Sequence, residues 1–236
     1  MAGEPGPCEV FYASAWQHPL ALWVAAAAGA VVCLARRDLH PSVRRYGLAL
    51  ALLSACDAWL TADRIFGIGA LPAPLTGVVP LFFVLAGDFR YLLLWEAATP
   101  EGAIAPSPTG VGRAALLTAI VPIFAQVVTA GRELRVLFLV YELAFCALAL
   151  ALLHGHPNAR ALPWVRAVSR LVLLYYGLWA AADAMLLATG ADLAYALRVV
   201  PNLLYYGGLI AAISWLAPPY PYDTSSSSRR AVSGTR

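Results

Sequence analysis

Long apolar runs constrain this chain more than any other feature. An α-helix rises 1.5 Å per residue, so about 20 consecutive apolar residues carry it across the hydrocarbon core of a bilayer. Runs of this kind lie at about 17–35, 46–66, 75–96, 113–130, 134–154, 166–189 and 193–216. They predict an all-α polytopic membrane protein with seven transmembrane helices. The charge content agrees. Of 236 residues, 61% are hydrophobic and 12% are charged, whereas a soluble domain carries roughly a quarter charged residues. Half that charge cannot cover a surface that faces water, so the lipid bilayer is the first partner expected.

All 16 basic residues are arginine. The absence of lysine excludes Schiff-base chemistry on a lysine, and with it retinal bound as in rhodopsins. A net charge of +3 is too small to argue for nucleic acid. Cys8, Cys33, Cys56 and Cys146 have no CxxC spacing, and three of them sit in apolar runs as small packing residues. His18, His40, His154 and His156 all fall at span edges. His154 and His156 have no acidic or cysteine neighbour to complete a metal site. No GxSxG, HExxH or Walker-type loop is present. Neither an enzyme nor a cofactor or metal is therefore expected. The first 35 residues hold no arginine, so the positive segment of a cleavable signal peptide is missing.

Arginine placement sets the expected topology. Arg36, Arg37, Arg44 and Arg45 follow the first span, Arg160 precedes the sixth with Arg166 and Arg170 at its start, and Arg229, Arg230 and Arg236 end the chain, while Arg132, Arg135 and Arg64 fall on the opposite side. Seven spans put the first three groups on one side, which predicts an inner-membrane protein with its N-terminus outside and its C-terminus in the cytoplasm. The expected parts are an outer tail 1–16, helices 1–3 in 17–96, a linker loop and helix 4 in 97–130, helices 5–7 in 131–216, and a disordered cytoplasmic tail 217–236 rich in serine.

The chain also repeats itself. Trp59 and Asp63 in the second span match Trp179 and Asp183 in the sixth, and four residues apart places each pair on one helix face. Val78-Val79-Pro80 opens the third span as Val199-Val200-Pro201 opens the seventh, with Gly87 and Gly208 at the same distance beyond each proline. His40-Pro41 and His156-Pro157 stand upstream in the same order. These matches predict two parallel three-helix repeats joined by one linker helix, related by an axis along the membrane normal.

This layout resembles the SWEET and PQ-loop family of seven-helix solute transporters. Pro201-Asn202 followed by Gly207-Gly208 is similar to the Pro-Asn…Gly segment of that family's seventh helix. Trp59 and Trp179 stand in the second and sixth spans, as the family's tryptophans do near its sugar site. The resemblance implies a central pocket touched by Asn202, Trp59 and Trp179. The chain departs from the family at Leu81, where the first repeat should have its own asparagine, and in lacking a Pro-Gln dipeptide. Microbial rhodopsins have a similar layout, without their lysine here.

Charged side chains within the spans carry the functional reading. An ion at mid-bilayer costs roughly 2.5–3.5 kcal/mol on insertion scales, so such residues face a bundle interior or cavity. Asp57 and Asp63-Arg64 lie in the second span, Asp88 and Arg90 in the third, Glu142 in the fifth, Asp183 in the sixth and Arg198 in the seventh, with Gln126 in the fourth. One reading is a polar cavity lined by Asp57, Asp88, Asp183, Arg90, Arg198 and Asn202, through which a small polar solute or ion moves, with protonatable carboxylates supplying coupling. The other is a set of interhelical ion pairs, Asp63 or Asp183 with Arg198 for instance, in a heptahelical sensor or accessory subunit without transport. Tyr175-Tyr176 and Tyr205-Tyr206 are candidates either to present hydroxyls to a solute or, as such residues more often do, to pack and bond to neighbouring helices. Pro80 and Pro201 are candidates for helix breaks that expose backbone groups to a ligand. Besides lipid, the partners are a small solute of unidentified kind and, as an option, a second copy in a homo-oligomer.

Overall fold

The computed structural model describes residues 4–62 and 73–220. Regular structure among them is helical, apart from one antiparallel bridge between Ala98 and Ile104. The helices are α1 (Pro7–Tyr12), α2 (Trp16–Ala35), α3 (Pro41–Leu60), α4 (Ala73–Ala97), α5 (Pro108–Val128), α6 (Leu134–Gly155), α7 (Pro163–Thr189) and α8 (Leu193–Leu216). Asp63 and Arg64 lie outside the described residues, as does the chain beyond Tyr220.

Caps and prolines decide where several helices begin. Pro41, Pro108 and Pro163 each occupy the first turn, where a missing N–H costs nothing and φ is already helical. His40 Nδ1 accepts the Ser42 N–H at 3.2 Å, and Ser107 Oγ accepts the Gly110 N–H at 3.1 Å. The helices therefore start at Pro41, Pro108 and Pro163 and not at 46, 113 and 166. The sequence expectation followed hydropathy, and Arg44, Arg45 and Arg113 in these first turns hid the true starts. Gly190, with φ at 63°, ends α7 in the left-handed conformation that glycine tolerates best.

Six helices among the described residues are long and apolar enough to cross a membrane: α2, α4 from Val78, α5, α6, α7 and α8. They are those of an integral membrane protein. α3 has 20 residues as well, but carries Arg44, Arg45 and Asp57.

Neighbours in space follow the chain. α2 packs on α3, α4 on α5, α5 on α6, α6 on α7 and α7 on α8, and α8 returns against α2 and α3. The weakest join in this ring is α3 against α4. The interior holds Tyr91, Trp95, Phe145, Val172, Tyr175 and Ile213, all buried. Glycine permits the closest approach: a Cβ on Gly207 of α8 would run into the Ala25 carbonyl of α2, and one on Gly29 would stand 2.8 Å from the Gly207 carbonyl.

Both ends of the described chain are tied down. The N-terminal tail contains α1, and Asp192 before α8 accepts the Cys8 and Glu9 backbone N–H groups at 2.9 and 2.8 Å. After α8, Arg36 donates to the Trp215 carbonyl at 2.8 Å, and the Tyr220 N–H donates to the Asp38 carbonyl at 2.6 Å. The tail expected from 217 thus begins with a docked stretch, 217–220, because loop carbonyls and a guanidinium are there to receive it.

Candidate functional site

The charges within the helices form separate clusters. The first is centred on α4. Asp88 is 1% exposed and accepts hydrogen bonds from the hydroxyls of Tyr141 on α6 and Tyr176 on α7. Arg90 is also buried. Its guanidinium donates to the Gly87 carbonyl at 3.1 Å, Ser54 Oγ of α3 at 3.0 Å and the Tyr205 carbonyl of α8 at 2.7 Å, and lies 4.1 Å from the Tyr205 ring centre. Tyr46 of α3 donates to the Arg90 carbonyl. Asp88 and Arg90 are thus opposite charges on one helix, the first held by tyrosine hydroxyls and the second by two carbonyls and the Ser54 hydroxyl.

The Tyr205 carbonyl lies in an irregular stretch of α8. Pro201 within α8 cannot donate to the turn before it. The next turn, Leu204–Gly208, is wound as a π-helix, a form common at functional sites. Within that turn the Tyr205 carbonyl accepts from Arg90.

Asp57 forms a second cluster, bonded to Tyr206 of α8 and reached by Thr61 Oγ1 at 3.4 Å. Thr61 Oγ1 also lies 3.0 Å from His18 Nε2. Asp183 forms a third. It is 0% exposed, and its Oδ1 takes both Arg198 of α8 and Arg135 at the start of α6, the latter at 3.4 Å. Among the described residues its Oδ2 has no hydrogen-bond partner, nor has Oε2 of the buried Glu142 on α6. The Asp183–Arg198 pair is one of the two named from sequence.

Asn202 and Trp179 do meet: the indole N–H donates to Asn202 Oδ1 at 2.9 Å. Trp179 also stacks edge-on with Tyr175, Tyr176 and Tyr205. Trp59 does not join them. The inward stripe of α3 runs Val43, Gly47, Leu50, Ser54, Asp57, Ala58, and Trp59, one step round the helix, is 47% exposed on the outer face. Leu81, aligned by the repeat with Asn202, is likewise 51% exposed. Neither of two pockets among the described residues gathers the six nominated polar residues. A groove of about 540 Å³ opens between α3, α4 and α5 with an almost wholly apolar lining. A second pocket of about 410 Å³ lies where α1 meets α6 and α8. Neither is lined by Asp57, Asp88 or Asp183, because tyrosines and arginines cover those carboxylates.

Tyr141 and Ser54 complete the site without having been singled out, whereas Tyr176, Tyr205 and Tyr206 belong to the tyrosine pairs expected to meet neighbouring helices. The signal was present in the adjacent tyrosine pairs of α7 and α8, four and three residues from Trp179 and Asn202. No side-chain chemistry in the sequence distinguished bonding to a carboxylate from packing.

Outside the spans, the Cys8 N–H and then that of Glu9 hold the Asp192 carboxyl below its ordinary value, and Asp192 in turn raises the Cys8 thiol. Burial lowers His156 despite Glu96 at 3.8 Å. Among the described residues no group of three or more metal-ligating side chains gathers. No protein-family model, curated protein or solved structure matches this chain. The class that remains is a multi-pass helical membrane protein with a tyrosine-rich, charged interior.

Proposed function

We propose that α3 is the seventh span, that the N-terminus lies outside and the C-terminus in the cytoplasm of an inner membrane, and that the bundle passes a small polar solute or ion through its centre. Asp88 carries this reading. It is a buried carboxylate partnered by hydroxyls, with no arginine in ion-pair contact among the described residues. Breaking a buried salt bridge leaves a stranded charge, at a cost of about 3–5 kcal/mol. A carboxylate between hydroxyls exchanges partners, or takes a proton, without that penalty. Asp183, held by two arginines, is the structural charge by the same argument. The SWEET-like arrangement, with α2–α4 and α6–α8 as parallel units about α5, belongs to this proposal, supported by the sequence matches and by Asn202 against Trp179.

Uptake by proteoliposomes of sugars, amino acids and organic ions, with and without a pH gradient, tests it. Wild type should take up at least one class, and Asp88→Asn should reduce that flux at least tenfold while Asn202→Ala alters affinity. Absence of flux across the panel with a folded protein would reject transport. The second reading, a sensor or accessory subunit, draws on the aromatic filling around Trp179 and on the Asp183 bridge across α6, α7 and α8. It predicts no flux and a loss of stability in Asn202→Ala, which leaves the Trp179 indole N–H without its acceptor.

A further inference from the structure

The pocket of about 410 Å³ at the α1 end of the bundle has chemistry that the central site does not use. Arg135 and Arg198 reach into it from α6 and α8, with Tyr12, Phe138 and Tyr195 as walls and Glu133 at the rim. Arg198 is committed: it pairs with Asp183 and donates through Nε to the Tyr12 hydroxyl at 3.3 Å. Arg135 is held loosely. Its side chain is 33% exposed, and its contact with Asp183 is a 3.4 Å approach to an oxygen that Arg198 already occupies. Asp183 and Glu133 balance the two guanidinium charges, and the N–H groups of Arg135 beyond its contacts with Asp183 and Tyr195 remain for a ligand.

We infer that this pocket is a binding site for a small monocarboxylate with an apolar or aromatic body. The planar fork of Arg135 would hold the carboxylate through paired N–H···O bonds, and Phe138 and the two tyrosines would cover the body. Asp183 and Glu133 beside the two guanidinium groups leave no surplus positive charge, so a singly charged ligand suits the pocket better than phosphate. The inference deepens the proposed function by naming the class of solute that the outer end admits. It rests on that reading only for the passage of a bound solute into the bundle, and the binding itself stands without it.

Benzoate, its neutral counterpart benzamide, and inorganic phosphate are the probes, titrated against the full chain in detergent by calorimetry and thermal unfolding. Benzoate should bind and raise Tm with concentration, benzamide should not, and Arg135→Gln should weaken benzoate at least tenfold. Arg113→Gln, on α5 and outside the pocket, should bind as wild type does. On unaltered protein, benzoate and not benzamide should slow modification of Arg135 by phenylglyoxal, read from peptide masses, which keeps the test intact if Arg135→Gln does not fold. Equal binding of benzamide, binding of phosphate in place of benzoate, or no protection of Arg135 would overturn the assignment. Binding without flux would leave this site standing and reject transport. Flux without benzoate binding would do the reverse.

Discussion

At the scale of single residues, the chain places a charge in its interior and then surrounds it with hydroxyls. Tyr176→Phe removes one of the two donors to Asp88 and changes little else in shape. It should destabilise the protein by about 1–3 kcal/mol, the cost of leaving a buried acceptor short of a partner, measured by unfolding in detergent. Asp192 makes a separate prediction at the protein surface. Its carboxyl is held low by the Cys8 and Glu9 N–H groups. Docking of α1 is therefore fully favoured above the ordinary aspartate value of 3.8 and is lost as pH falls through the lower, folded value. Between pH 5 and 8 it should be flat. Asp192 also raises the Cys8 thiol by accepting its hydrogen bond, so Asp192→Asn should speed alkylation of Cys8 by iodoacetamide at pH 8. An unchanged rate would mean that the pairing is absent in solution.

At the scale of elements, helix contacts depend on where side chains are missing. Without a hydrophobic driving force between helices in lipid, close backbone approach through small residues supplies much of the association. Gly207 meets the Ala25 carbonyl across the α2–α8 contact, whereas a Cβ on Gly177 of α7 has nothing within 4 Å. Gly207→Ala should destabilise by about 1–3 kcal/mol, as overpacking does. Gly177→Ala should leave stability unchanged or raise it by up to about 1 kcal/mol, the helix propensity difference. Thermal unfolding of the two variants side by side checks both. Hydropathy alone made α2, α6, α7 and α8 legible in the sequence, since each is long and apolar. It missed the starts of α3 and α5, because caps and first-turn prolines set those, and arginines are tolerated there.

At the scale of the whole molecule, the helices form a ring in chain order that α8 closes against α2 and α3. The first loop secures the end of α8 through Arg36, which also pairs with Asp38 at 2.8 Å. Arg36→Ala should free the segment around 217–220, seen as faster cleavage there by added protease on the side the segment faces. If that side is the cytoplasm, cleavage should require inverted membrane vesicles, a result that also tests the proposed orientation. The repeat belongs to this scale too. Matching order of Trp, Pro and Gly along the chain did not place Trp59 and Trp179 in like surroundings, since one faces outward and the other bonds Asn202.

The sequence by itself determined the helical membrane class. Runs of about 20 apolar residues with so little charge have no other favourable environment, and that inference needs no partner helix. It also singled out Asp57, Asp88, Arg90, Asp183 and Arg198 as interior charges, because such residues are too costly to face lipid. Which of them meet was decided only by tertiary structure. Asp88 bonds tyrosines on helices 53 and 88 residues away, while Arg90 reaches a carbonyl 115 residues on. Those pairings depend on how the ring closes and on the phase of each helix about its own axis, and neither quantity is written in any local stretch of chain.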